Sequence, residues 1–148
     1  MPSRLSKLTA ASTAAVVALG AAAAIAKAPP TITSVTAKQT GRKVVITVRT
    51  KNFTIDTKDV GKRPLAGKGH LHFSMDHGKF DHPKYSGANG KLARKLGTEG
   101  KYSPSVTKAI TYTGLPKGKH TVEVYVAQNN HAPYKNKGAE KSLTFRVK

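Results

Sequence analysis

Apolar and polar residues alternate along four stretches of this 148-residue chain. Residues 43–50 (KVVITVRT) place Val44, Ile46 and Val48 on one face, and residues 69–76 (GHLHFSMD) do the same with Leu71, Phe73 and Met75. Residues 119–128 align Val122, Val124 and Val126, and residues 141–147 align Leu143, Phe145 and Val147. A period of two predicts strands with one face in a core. Residues 31–38 (TITSVTAK) are rich in β-formers, and residues 106–113 (VTKAITYT) predict a further strand with Val106, Ile110 and Tyr112 inward. The connections are polar. Residues 52–68 hold Gly61, Pro64 and Gly67, residues 77–105 are rich in Gly and Lys, and residues 129–138 form a polar loop. Within the second connection, residues 91–96 (KLARKL) predict one or two helical turns, with Asn89 as cap, Leu92 and Leu96 on one face, and Gly97 as the stop. No repeat and no long amphipathic helix interrupts the pattern. The expected fold is all-β, an antiparallel β-sandwich of about seven strands.

The first 26 residues follow another logic. Arg4 and Lys7 precede an apolar run over residues 14–26 that is broken only by Gly20, and Ala24 and Ala26 form an A-x-A site. This is the pattern of a secretory signal peptide, with cleavage expected after Ala26. The run is Ala-rich and short of the roughly 20 residues that span a bilayer, so no transmembrane segment is expected after processing. The expected organisation is a signal peptide at 1–26, a stiff Ala28-Pro29-Pro30 lead-in at 27–30, and one sandwich domain at 31–148. The destination is secreted or in the cell envelope.

Composition narrows the chemistry. There is no cysteine, which excludes disulfides, a cysteine nucleophile and a copper site of the thiolate type. The chain carries 26 basic and 7 acidic residues, a net charge of +19. Without Arg4 and Lys7 the balance is 24 against 7, or +17. Lysines spread along the chain attract polyanions without a specific site. An anionic cell-wall polymer or another extracellular polyanion is the expected class of partner. Sequence-specific nucleic acid is not, because no helix-turn-helix, zinc-finger or RNP-type motif is present. The excess lysine also serves solubility and blunts sheet edges.

The candidate site lies on the strand at residues 69–76. His70 and His72 share the face opposite Leu71, Phe73 and Met75, about 6–7 Å apart at Cα. Two imidazoles at that spacing reach one metal ion. The same pair also suits a solvated polar strand face, or a patch that gains charge as pH falls through about 6.5.

The stretch Gly114-Leu115-Pro116-Lys117-Gly118-Lys119-His120-Thr121-Val122-Glu123-Val124 resembles the corner of immunoglobulin-like and fibronectin-type-III-like domains. In those folds an aromatic side chain hydrogen-bonds back to the corner backbone. His120 stands where the tyrosine usually stands, which implies a structural role. A wider resemblance, to an uncharacterised family of small exported bacterial domains, rests on residues 69–72, 115–121 and the pair Asn130-His131. It implies the fold and export, and no activity.

Immunoglobulin-like topology makes residues 43–50 strand B, 69–76 strand C, 106–113 strand E, 119–128 strand F and 141–147 strand G. The B–C and F–G loops then share one end of the sandwich. His70, His72 and His131 converge there, and His77, His82 and His120 fall toward the other end. Three histidines with an open position suit zinc, and imidazole also suits copper. Tyr134, Asn129, Asn130 and Glu123 are the expected neighbours. The pairs Asp76-His77 and Asp81-His82 are the only acid–base candidates, and adjacent strand residues point to opposite faces. No Gly-x-Ser-x-Gly elbow, His-Glu-x-x-His helix or P-loop is present. The expectation is a non-catalytic binding module.

Overall fold

The computed structural model describes residues 27–81 and 102–148. The signal-peptide expectation, His82 and the short helix expected at residues 91–96 lie outside the described residues.

Eight strands form: β1 (Thr31–Thr40), β2 (Lys43–Lys51), β3 (Thr54–Ile55), β4 (Lys68–Met75), β5 (Ser103–Ser105), β6 (Ala109–Thr113), β7 (Gly118–Ala127) and β8 (Glu140–Val147). Among the described residues there is no helix, and so none long and apolar enough to cross a membrane. The strands make two sheets. One has the order β1-β2-β6, and the other runs β3-β4-β7-β8 with β5 added to β4. All pairings are antiparallel except β3 with β4.

The alternating residues fill the core. Val44, Ile46 and Val48 from the first sheet meet Leu71, Phe73, Met75, Val122, Val124 and Val126 from the second, all buried. Val147 is buried, and Leu143 and Phe145 pack against this core from partly buried positions. Each fully buried aliphatic side chain of this kind stabilises the fold by roughly 1.5–3 kcal/mol. These terms must carry a domain that has no disulfide.

Two corrections concern the second half of the chain. The strand expected at residues 106–113 begins only at Ala109, and Val106 is 42% exposed rather than inward. Ser105 explains the break. Its hydroxyl accepts from the Thr107 amide and donates to the Thr107 and Ala109 carbonyls, competing locally with strand pairing. The short strands β3 and β5 have too few residues to show a period. Both add to β4, the histidine strand.

His120 closes the corner. Its ring points inward at 5% exposure, with Nε2 2.8 Å from the Pro116 carbonyl and Nδ1 2.6 Å from the Asp76 carboxylate. The other Asp76 oxygen accepts from the Thr121 amide. The ring therefore ties the corner backbone to the end of β4. His120→Phe keeps the ring's volume and loses both bonds. It is expected to cost about 2 kcal/mol, read from the urea unfolding midpoint.

Candidate metal centre

β4 and β7 pair so that His70 faces Ala127, His72 faces Tyr125 and Ser74 faces Glu123. Because Leu71, Phe73 and Met75 take the core side, His70 and His72 project from the other face of the sheet. That face is not solvated here. His70 is 1% exposed, and His72 and His131 are fully buried. Among the described residues, the cover comes from the loop between β7 and β8 and from Tyr102, with β5 beside them. Pro104 sits opposite His72, and the Tyr102 ring lies 5.7 Å from the His72 ring.

Local chemistry fixes the loop. Gln128 donates its amide to the Ala132 carbonyl, and the His131 amide donates back to Gln128. The Asn130 side chain accepts from the Ala132 amide. His131 sits in this turn at φ 67°, a left-handed conformation uncommon for a residue with a Cβ. Asn129 anchors the turn from below. Its carbonyl accepts from the Gly61 amide, and its side-chain amide donates to Asp56. Burial works against ionisation of Asp56. Hydrogen bonds from Asn129 and from the Asp59 and Lys58 amides outweigh it and hold the carboxyl below its usual range.

Gly69 sets how closely the strands approach. Its φ is 155°, and a Cβ there would overlap the Ala127 carbonyl oxygen. Any other residue would push β4 off β7 beside His70.

Three ring nitrogens meet at the centre of this construction. His70 Nε2 lies 2.8 Å from His72 Nε2 and 2.9 Å from His131 Nδ1. A neutral ring nitrogen carries one hydrogen or one in-plane lone pair, so it completes one well-aligned bond. His70 Nε2 faces two partners. Its other nitrogen, Nδ1, has no hydrogen-bond partner among the described residues. On His72, Nδ1 lies 3.0 Å from the Tyr125 hydroxyl, which orients the ring and leaves Nε2 for the centre. The ligand atoms of the three histidines all lie within 4.8 Å of one another. They are the only such group of three His, Asp or Glu among the described residues, and they could hold a metal ion.

The site's environment keeps the rings neutral. Burial, then repulsion by His131, pushes His70 down to about 3. Burial, then His70 and His131, holds His72 well below its usual value, and burial lowers His131. Neutral imidazole is the form that ligates metals.

The expected neighbours divide. Tyr134 donates to the Leu65 and Lys68 carbonyls and braces the loop from outside. Asn129 and Asn130 shape the turn, as described above. Glu123 lies level with Ser74, two residue pairs beyond Tyr125, and its carboxylate is 3.7 Å from His77. Tyr125 and Tyr102 were missing from the expected set. Strand parity puts Tyr125 on the face of His72, and that signal was readable. Nothing in the sequence marks Tyr102.

Asp76 turns away from His77, and the Asp81-His82 pair lies partly outside the described residues. Asp76 binds His120 and the Thr121 amide. Asp81 accepts from the Met75 amide, Ser103 and Tyr112.

Comparison of the chain with models of protein families, with curated proteins and with solved structures finds no match.

The lowered histidines give stability a defined pH dependence. They titrate near 6.5 in the unfolded chain and lower in the folded one, so unfolding takes up protons. The contribution of these groups is full above about pH 6.5 and falls as pH drops, toward about 3 for His70, with a slope of at most ~1.4 kcal/mol per unit for each histidine. Denaturant midpoints measured in chelator across this range check it. His70→Gln should flatten the slope.

Proposed function

We propose that this chain is an exported, non-catalytic binding module that holds a copper or zinc ion on His70, His72 and His131. The observation that carries the reading is the convergence of three buried, neutral imidazoles, with His70 Nε2 facing a ring nitrogen of each of the other two. The separations of 2.8 and 2.9 Å bring the ring nitrogens within reach of one ion. Imidazole suits both zinc and copper, and the general order of divalent affinities favours Cu(II).

Two observations support an immunoglobulin-like framework. The order β1-β2-β6 beside β4-β7-β8 parallels the A-B-E and C-F-G order of that fold. His120 also makes the corner's hydrogen bond to Pro116. Binding is favoured over catalysis because Asp76 and Asp81 are both committed to structural hydrogen bonds.

Chelator-stripped protein, purified without a histidine tag, is expected to bind one Cu(II) per chain and to melt at higher temperature when loaded. Zn(II) should bind more weakly. The His70→Ala/His72→Ala double variant should lose the ion. His131→Ala, which leaves β4 intact, should weaken binding at least 100-fold with an unchanged circular dichroism spectrum. Titration calorimetry and metal analysis check each outcome. An unchanged stoichiometry in the double variant would refute the site.

A second surface supports the polyanion reading. At the corner end of the sandwich, away from His70, His72 and His131, a depression of about 370 Å3 is lined in part by Arg42, Lys117 and Lys148. Retention on a heparin-type resin should weaken steeply with salt, and Arg42→Gln/Lys117→Gln should elute earlier than the parent. Retention that is indifferent to salt excludes this reading.

A further inference from the structure

The three histidines are closed off from solvent, so an ion that reaches them needs a route. We propose that the ion enters on the Tyr102–Tyr125 side of the sheet, through a port flanked by Glu123 and Glu140. This inference rests on the metal reading above.

The register aligns the route. His72 on β4 faces Tyr125 on β7, and Tyr125 faces Glu140 on β8. One rung of the sheet thus runs from an exposed carboxylate, through a phenol, to a ligand ring. Tyr125 stands between the two ends, with its hydroxyl 3.0 Å from His72 Nδ1. Tyr102 stands edge-on to Tyr125 at 4.8 Å between ring centroids and also lies against His72. Above this pair is a surface depression of about 210 Å3, lined by Tyr102, Glu123, Tyr125, Pro133 and Glu140.

The placement of charge is the second argument. The chain has 7 acidic residues against 26 basic ones. Asp56, Asp76 and Asp81 are bound into turns and corners, and Asp59 pairs with Lys62. Glu123 and Glu140 are the remaining described carboxylates, and both open onto this one depression. On a surface that otherwise repels cations, they make a local field that draws one in, over a range of about 8 Å at physiological salt.

The test uses the sign of the salt effect. Cu(II) uptake by the stripped chain is followed by stopped-flow quenching of tyrosine fluorescence, the protein having no tryptophan. With the port, the association rate falls as ionic strength rises, despite the net charge of +19. In Glu123→Gln/Glu140→Gln the low-salt rate should drop about tenfold. Its salt dependence should reverse, because only the repulsive net charge remains, and the stoichiometry should stay at one ion. A double variant that loads at the parent's rate, with the parent's salt dependence, overturns the port and leaves the metal site standing. A parent chain that takes up no Cu(II) overturns both.

Discussion

The desolvation of three imidazoles on the outer face of a sheet is the constraint around which this domain is arranged. Burying a polar ring without a matched partner is costly, so a chain keeps such a cluster only when the surroundings hold it together. Here the surroundings are specific. Gly69 lets β4 approach β7, Asn129 locks the loop to Asp56 and Gly61, and Tyr125 orients His72. The same strand supplies Leu71, Phe73 and Met75 to the core on its other side. β4 is therefore buried on both faces, which is unusual for a strand whose sequence alternates so cleanly.

The two ends of the sandwich treat histidine in opposite ways. At the corner, both nitrogens of His120 face oxygens, one from Asp76 and one from Pro116, so the ring completes the structure with the protein's own groups. At the other end, His70 Nε2 faces one nitrogen each of His72 and His131, while His72 Nδ1 meets the Tyr125 hydroxyl. An oxygen accepts what a ring N–H offers. Converging ring nitrogens compete for the same proton and are relieved by a cation. The contrast between the ends distinguishes a structural histidine from a candidate ligand more sharply than burial does, because all four rings are buried.

Much of this was legible in the sequence. Parity alone separated Leu71, Phe73 and Met75 from His70 and His72. The corner sequence oriented β7, and with β7 and β4 adjacent His131 had to fall at the histidine end. The burial of that end was not legible. It depends on a polar loop folding back over a sheet face, and the hydrogen bonds that hold the loop run from Asn129 to Asp56, 73 residues away. β3 and β5, at two and three residues, are too short to carry a period, and they cover the edge of β4 through pairing rather than pattern. Parity put Tyr125 on the outer face of β7, and its register made it the neighbour of His72. Val106 followed the apolar rule and broke it, because the Ser105 and Thr107 hydroxyls turn the chain there.

His70 and His131 are separated by 61 residues of chain. An ion held between them would close that span into a covalent-like loop in a protein that has no cysteine. By chain entropy alone, closing a loop of that length withholds about 4 kcal/mol of disorder from the unfolded state. A disulfide exacts the same restriction but yields to thiols. A nitrogen-bound ion does not; it yields to acid and to chelators. The domain would then owe its endurance to the supply of one metal rather than to the redox state of its surroundings.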